Sequence, residues 1–198
     1  MSASGSLFYI DYRDRIYVAY NPADATNTYY NVGNTTTQGL ELESAWHFQP
    51  KWSLYDSLTY TSSVMQQNLR TGVSAYEPSA GKQFPGVPSW MAGAALQYRD
   101  GPWAANLSAK YTGKRYSTLV NDEALGGYTL FNLDASYHLP SGSFIRDPAL
   151  RFNAYNLFNA NYLSGNGFSN RALGAGGSAP TYFVGAPRTF SMMLSGSF

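Results

Sequence analysis

The stretch Phe190-Ser191-Met192-Met193-Leu194-Ser195-Gly196-Ser197-Phe198 has a period that decides the fold. Side chains of a strand point alternately to opposite faces. Phe190, Met192, Leu194 and Phe198 therefore share one apolar stripe, and Ser191, Ser195 and Ser197 lie on the other face. A strand suited to hydrocarbon on one side and water on the other, finishing on an aromatic without a polar tail, is what the last strand of a transmembrane β-barrel looks like. If the stripe meets lipid, the destination is a bacterial outer membrane.

Composition points the same way. Charged residues make up 13% of the 198, about half the usual share of a soluble domain, and mean hydropathy is only −0.30. Polarity comes instead from Ser, Thr, Asn, Gly and Tyr. The 17 Tyr, 11 Phe and 4 Trp are rings of the kind that collect at membrane interfaces. A net charge of +1 with no basic run leaves no footprint for nucleic acid. No run of about 18 apolar residues exists, which excludes helical spans. Without Cys, disulfide scaffolds, zinc ribbons and thiol catalysis are closed off. Met1-Ser2-Ala3-Ser4-Gly5 has neither the basic start nor the apolar core of an export signal. Since an outer-membrane protein must be exported, the expectation is a piece of a longer polypeptide.

Period-2 segments recur along the whole chain, while sustained helical spacing does not. The fold class expected is all-β: an antiparallel meander of about eight long transmembrane strands. They are expected at 5–20, 30–48, 52–67, 88–99, 102–117, 127–139, 149–163 and 182–198, each reaching the roughly 9–11 residues of a tilted span. In the second, Leu40, Leu42, Trp46 and Phe48 oppose Glu41, Glu43 and His47. Connections alternate: 49–51, 99–102 and 140–148 are short, whereas 21–29, 68–87, 118–126 and 164–181 are long. Barrels of this kind keep short turns on the periplasmic side, which puts the C-terminus there, with Trp46, Trp52 and Trp103 in a periplasmic girdle. A soluble β-sandwich is the alternative, and strands so long and poor in charge argue against it.

Several blocks carry a family resemblance: Phe8-Tyr9-Ile10-Asp11-Tyr12-Arg13-Asp14, Asn31-Val32-Gly33-Asn34-Thr35, Gly39-Leu40-Glu41-Leu42-Glu43, Gly81-Lys82-Gln83-Phe84-Pro85-Gly86-Val87-Pro88, Tyr111-Thr112-Gly113-Lys114-Arg115-Tyr116, Asn156-Leu157-Phe158-Asn159 with Tyr162, and Gly185-Ala186-Pro187-Arg188-Thr189-Phe190. In this order over nearly the whole chain they resemble the C-terminal part of a TonB-dependent outer-membrane receptor of the siderophore type. That resemblance implies a 22-stranded barrel filled by a plug domain, taking up scarce ligands, usually ferric siderophores, with energy transmitted by TonB. Residues 1–198 would then be the C-terminal portion of the barrel domain, open and curved, without the plug, the TonB-contacting segment or the earlier strands. The partners implied are outer-membrane lipid, the rest of the barrel with its plug, TonB through the absent N-terminal region, the outer-membrane assembly machinery and a ferric siderophore. Phe190, Met192, Leu194 and Phe198 become the expected assembly signal. No cofactor is implied.

The residues also have readings of their own. Gly39 is expected to face the lumen, where a missing side chain would let a plug backbone approach, or else to mark a kink. Pro85 and Pro88 should mark the passage from a loop into a strand. Asn156 interrupts the stripe Leu150, Phe152, Ala154 and suggests a bulge that turns Leu157 or Phe158 outward.

Enzyme chemistry finds little support. His47 and His138 are both expected in the lumen near the short turns, away from the outer end where barrel enzymes work, and no third ligand has a helpful spacing for metal. Glu41 and Glu43 are about 7 Å apart on one face, which suits a solvated pair better than a catalytic one. Asp122 and Glu123 read as a solvated loop pair. Thr112-Gly113-Lys114 lacks the remaining elements of a phosphate loop. Ligand contact is expected from aromatic and arginine groups near the outer side, Tyr29, Tyr30, Tyr76, Arg115, Tyr116, Phe168, Asn170 and Arg171, which suit a metal chelate by stacking and charge-assisted hydrogen bonds. The competing hypothesis is a complete eight-stranded barrel with a structural or adhesion role. It requires the first and last strands to pair.

Overall fold

The computed structural model describes residues 1–21, 25–70, 74–142, 144–166 and 181–197. Its strands are β1 (Ser2–Tyr12), β2 (Ile16–Asn21), β3 (Thr26–Asn31), β4 (Thr35–Gln49), β5 (Trp52–Met65), β6 (Leu69–Arg70), β7 (Tyr76–Glu77), β8 (Trp90–Asp100), β9 (Trp103–Thr112), β10 (Arg115–Tyr116), β11 (Ala124–Leu125), β12 (Tyr128–His138), β13 (Arg146–Tyr155), β14 (Leu163–Asn166), β15 (Tyr182–Val184) and β16 (Thr189–Ser197). Eight of them form one antiparallel sheet in the order β1-β4-β5-β8-β9-β12-β13-β16. The other eight pair two by two as hairpins within the four long connections.

All eight expected spans are present, with five corrections. The segment expected as 30–48 starts at Thr35, since Tyr30 and Asn31 belong to β3, and that expected as 102–117 stops at Thr112, with Arg115 and Tyr116 pairing in the β10–β11 hairpin. The segment expected as 5–20 starts at Ser2 and leaves the sheet after Tyr12, where Asp14 takes φ +50°. Residues 16–20 then pair with Asn27–Asn31 instead. The segment expected as 149–163 begins earlier, at Arg146, and stops at Tyr155. That expected as 182–198 divides into β15, which pairs with β14, and β16, which joins the sheet. β1 and β16 occupy opposite edges and do not pair with each other, so the sheet is open and the closed eight-stranded barrel is set aside.

The register aligns the stripes of all eight strands. One row of partners on the apolar face reads Trp46, Leu54, Leu96, Leu107, Leu133, Ala154, Phe190. Another reads Leu7, Leu40, Tyr60, Trp90. Aromatic rings bound this face at both ends. On the short-turn side, Trp52 lies 4.7 Å from Tyr98 and Trp103 4.4 Å from Tyr137, centroid to centroid. On the other side, Tyr60 lies 4.7 Å from Trp90, and Tyr111 ends the β9 stripe that Trp103 begins. From Trp103 to Tyr111 a strand tilted by about 45° climbs roughly 20 Å, the order of a hydrocarbon layer. No helix of the described residues is long and apolar enough to cross a membrane.

Short turns hold one edge of the sheet. Gly101 adopts φ +51° between Asp100 and Pro102, and Lys51 in the neighbouring turn donates to Asp100 at 2.6 Å. That bond raises the Lys51 pKa above its usual value. At the far end of β13 the break expected as a bulge is instead a turn: the strand stops at Tyr155, Asn156 takes φ +51° and the Asn159 amide donates to the Asn156 carbonyl. In straight register Phe131 would face Asn156, but the Leu157 amide donates to the Phe131 carbonyl. Phe158 is thereby left exposed with its ring edge-on to Phe131 at 5.0 Å.

Candidate ligand-facing surface

On the face opposite the apolar stripe, the register produces a polar ribbon across seven strands: His47, Ser53, Gln97, Asn106, Asp134, Asn153, Ser191. Its members bond laterally. His47 Nδ1 and Ser53 Oγ are 2.8 Å apart, Asn106 donates to Asp134 at 3.4 Å, and Asn153 donates to Ser191 at 3.2 Å. Arg99 and Arg151 flank the ribbon at a concavity of about 410 Å³. Glu41, on the same face of β4, accepts from Ser6 at 3.2 Å. Gly39 lies beneath the ring of Phe8, its partner on β1. A neighbouring side chain, rather than an approaching foreign backbone, occupies the space the glycine leaves.

Beyond the sheet, the long connections pack on one another. Tyr17, Val32, Met65, Leu69, Phe84 and Leu119 form a buried cluster, with Tyr30 and Val87 against it. Arg15 places its guanidinium carbon 3.4 Å from the Phe84 ring centroid, and burial lowers its pKa, although an arginine stays charged at any neutral pH. Asn121, at φ +59°, clamps two connections together. Its Oδ1 accepts from the Gln83 amide and its Nδ2 donates to the Gln83 carbonyl, both at 2.8 Å. Pro85 is buried in the turn there and Pro88 immediately precedes β8, as expected of prolines at a loop-to-strand passage.

Two concavities open among these connections. The first, about 800 Å³, is lined by Asp14, Asn31, Gln67, Asn68, Arg70 and Tyr76. Asn31 donates to Asp14 at 3.1 Å and accepts from Gly33 at 2.8 Å. Carboxamides, a guanidinium and a phenol in one basin can make many directional hydrogen bonds to a polar, anionic ligand. The second, about 730 Å³, is lined by Tyr128, Tyr162, Leu163, Val184 and glycines. The two tyrosine rings lie 4.4 Å apart, and Tyr162 rests on Gly185, where a Cβ would stand 2.2 Å from the ring.

The residues expected to meet ligand are distributed over this region. Tyr76 is exposed at the first basin, and Tyr29 is exposed on β3. Tyr30 is half-buried against the apolar cluster. Arg115 is only 4% exposed, donating to the Leu163 carbonyl at 3.0 Å beside the second basin. Tyr116 is half-buried under Lys114, whose Nζ lies 4.9 Å from its ring. Phe168, Asn170, Arg171 and Phe198 lie outside the described residues. Phe190, Met192 and Leu194 project together from the apolar face of β16. Asp14, Asn31, Gln67, Asn68 and Arg70 were not anticipated. The run Gln66-Gln67-Asn68 beyond the end of β5 was the available signal. The acidic loop pair is bonded: Asp122 accepts from Thr118 at 2.5 Å, and Glu123 accepts from the Tyr182 hydroxyl.

Comparison with known proteins places this geometry. Residues 1–157 match the family model described as TonB dependent receptor-like, beta-barrel. Over 145 residues the chain is 27% identical to the probable TonB-dependent siderophore receptor PiuA of Acinetobacter baumannii, covering 69% of this chain and 18% of that protein. The crystal structure of PiuA superposes with a TM-score of 0.72 at 20% identity, covering 97% of this chain and 25% of that one. The ferric citrate transporter FecA gives 0.72 at 18% identity, over 96% and 28%. The copper transporter OprC gives 0.70 at 21% identity, over 99% and 28%. The chain thus spans between 18% and 28% of the length of these relatives. By the family match and the open, two-faced sheet, the chain belongs to the TonB-dependent receptor-like β-barrel family.

Proposed function

We propose that residues 1–198 form the C-terminal portion of the barrel of a TonB-dependent receptor that takes up a scarce ligand, a ferric siderophore before other metal chelates. The observation that carries this reading is the open sheet with one apolar face bounded by aromatic belts and one polar face. A wall of this kind suits lipid outside and a separate occupant inside. The C-terminus and short turns lie on the periplasmic side, and the hairpin-bearing connections lie outside. The plug and TonB are the partners, and no bond-making chemistry is assigned to this chain. Ligand contact falls to Tyr29, Tyr30, Tyr76, Tyr116 and Arg115, joined by Phe168, Asn170 and Arg171 and by the amide-rich basin around Arg70.

The test uses the complete receptor in iron-starved cells with radioactive ferric chelates. Uptake of one chelate, lost without TonB and weakened severalfold in affinity by Tyr76→Ala with Arg70→Gln, is expected. Transport indifferent to TonB would refute the reading.

A further inference from the structure

One side chain on the apolar face is out of keeping with hydrocarbon. Asp56 lies on β5 midway between Trp52 of one aromatic belt and Tyr60 of the other, and its partners across the ladders are Ser44 on β4 and Ala94 on β8. Among the described residues it is the one charged group on this face between the belts. Both its oxygens accept from the same donor, Ser44 Oγ, at 3.0 and 2.5 Å. None of the ion pairs among the described residues includes it. A carboxylate accommodates about four donors, so most of its capacity is unfilled. Its surroundings are low: Ala3 lies beyond Ser44, Gly5 is opposite Leu42, and Ala92 and Ala94 occupy β8. Leu42, Leu58, Trp46 and Leu54 stand above and below. Ionisable groups at this depth are costly on a lipid-facing wall, and they are retained where a partner satisfies them.

We propose that the face of β1, β4 and β5 around Asp56 is the contact site for a second membrane-embedded protein that brings a lysine or arginine into this dip. Charge complementarity selects that occupant. A second copy of this chain would bring no cation, since the described apolar face between the belts holds none, and would set Asp56 against Asp56. Lipid ammonium groups lie at the level of the belts, not midway between them.

The inference rests on the membrane reading of the apolar face, so the experiment separates the two. In the complete receptor in native membranes, Ala94 or, separately, Leu107 is replaced by a photoreactive phenylalanine analogue. Leu107 lies midway between Trp103 and Tyr111 and away from Asp56. Lipid adducts are expected at position 107. At position 94 the expectation is a protein adduct whose cross-linked peptide, identified by mass spectrometry, carries a basic residue within a membrane segment. Asp56→Leu, which installs an ordinary lipid-facing group and should fold normally, is expected to lower that adduct at least fivefold, and Asp56→Glu to keep it. Lipid adducts alone at both positions, an adduct to a second copy of the receptor, or an adduct unaffected by Asp56→Leu would each overturn the contact site while leaving the membrane reading in place. No lipid adduct at position 107 would overturn both.

Discussion

A Cβ at Gly39 would stand 2.2 Å from the Tyr60 carbonyl oxygen and 2.5 Å from the Phe8 ring. The ring can shift, but the carbonyl belongs to the β4–β5 ladder and cannot. Gly39→Val in the complete barrel is accordingly expected to cost about 1–3 kcal/mol through overpacking, read as a lower urea midpoint for loss of heat-modifiable mobility. An unchanged midpoint would show that the ladder yields there. Asn156 is the reverse case, a side chain that cannot be spared. It is 5% exposed at φ +51°, donates to the carbonyls of Ala160 and Ala186, and accepts from the Ala160 amide. Asn156→Ala should cost about 2–3 kcal/mol by orphaning buried groups. Asn156→Asp should be no better, since it sets an acceptor against two carbonyls. Equal midpoints for wild type and Asn156→Asp would contradict this. Asn156 was legible in the sequence because it breaks a local alternation. The reason for Gly39 was not, because Phe8 reaches it only through a pairing distant along the chain.

At the scale of elements, the spans were readable because a half-lipid, half-water wall imposes strict alternation from strand to strand. What alternation does not record is a strand leaving its sheet. Ile16, Val18 and Tyr20 continue the period of β1, yet they belong to a separate hairpin, since Asp14 turns the chain with a positive φ that a two-residue period does not reveal. The same holds for Tyr182–Val184, which alternate as β16 does but pair with β14. The candidate site was less legible for a related reason: exposure in these connections depends on packing between loops, and so Arg115, charged and set between Lys114 and Tyr116, lies buried. The braces make the connections a preorganised rim. Asn121→Ala removes the paired bonds to Gln83 and places Ala at φ +59°. It should speed proteolysis within 68–87 of the complete receptor severalfold, as peptide mapping over time would show, and leave the sheet intact. Equal cleavage rates would mean that the apolar cluster alone holds the rim.

For the whole molecule the decisive property is that β1 and β16 each present an unpaired edge. Backbone groups cannot face hydrocarbon unsatisfied, and exposed edges recruit other strands. Residues 1–198 expressed alone should therefore aggregate or insert poorly into vesicles, as judged by light scattering and by the absence of a heat-modifiable band. A stable inserted monomer would rule out this account. The Lys51–Asp100 pair and the ring pairs of the belts contribute locally and cannot replace a missing neighbouring strand.

The strand order β1-β4-β5-β8-β9-β12-β13-β16 follows the chain without a crossover, and this bears on how the wall comes into being. Every ladder joins segments that are already near along the polypeptide, so the entropy lost in closing each connection stays small and grows only slowly with its length. The widest separation, from Tyr155 to Thr189, is drawn in by the β14–β15 hairpin, which returns the chain toward the sheet before β16 has to find β13. Such a wall can grow by one hairpin at a time, each finished edge serving as the template for the next, with no stage at which distant segments must meet in a single step.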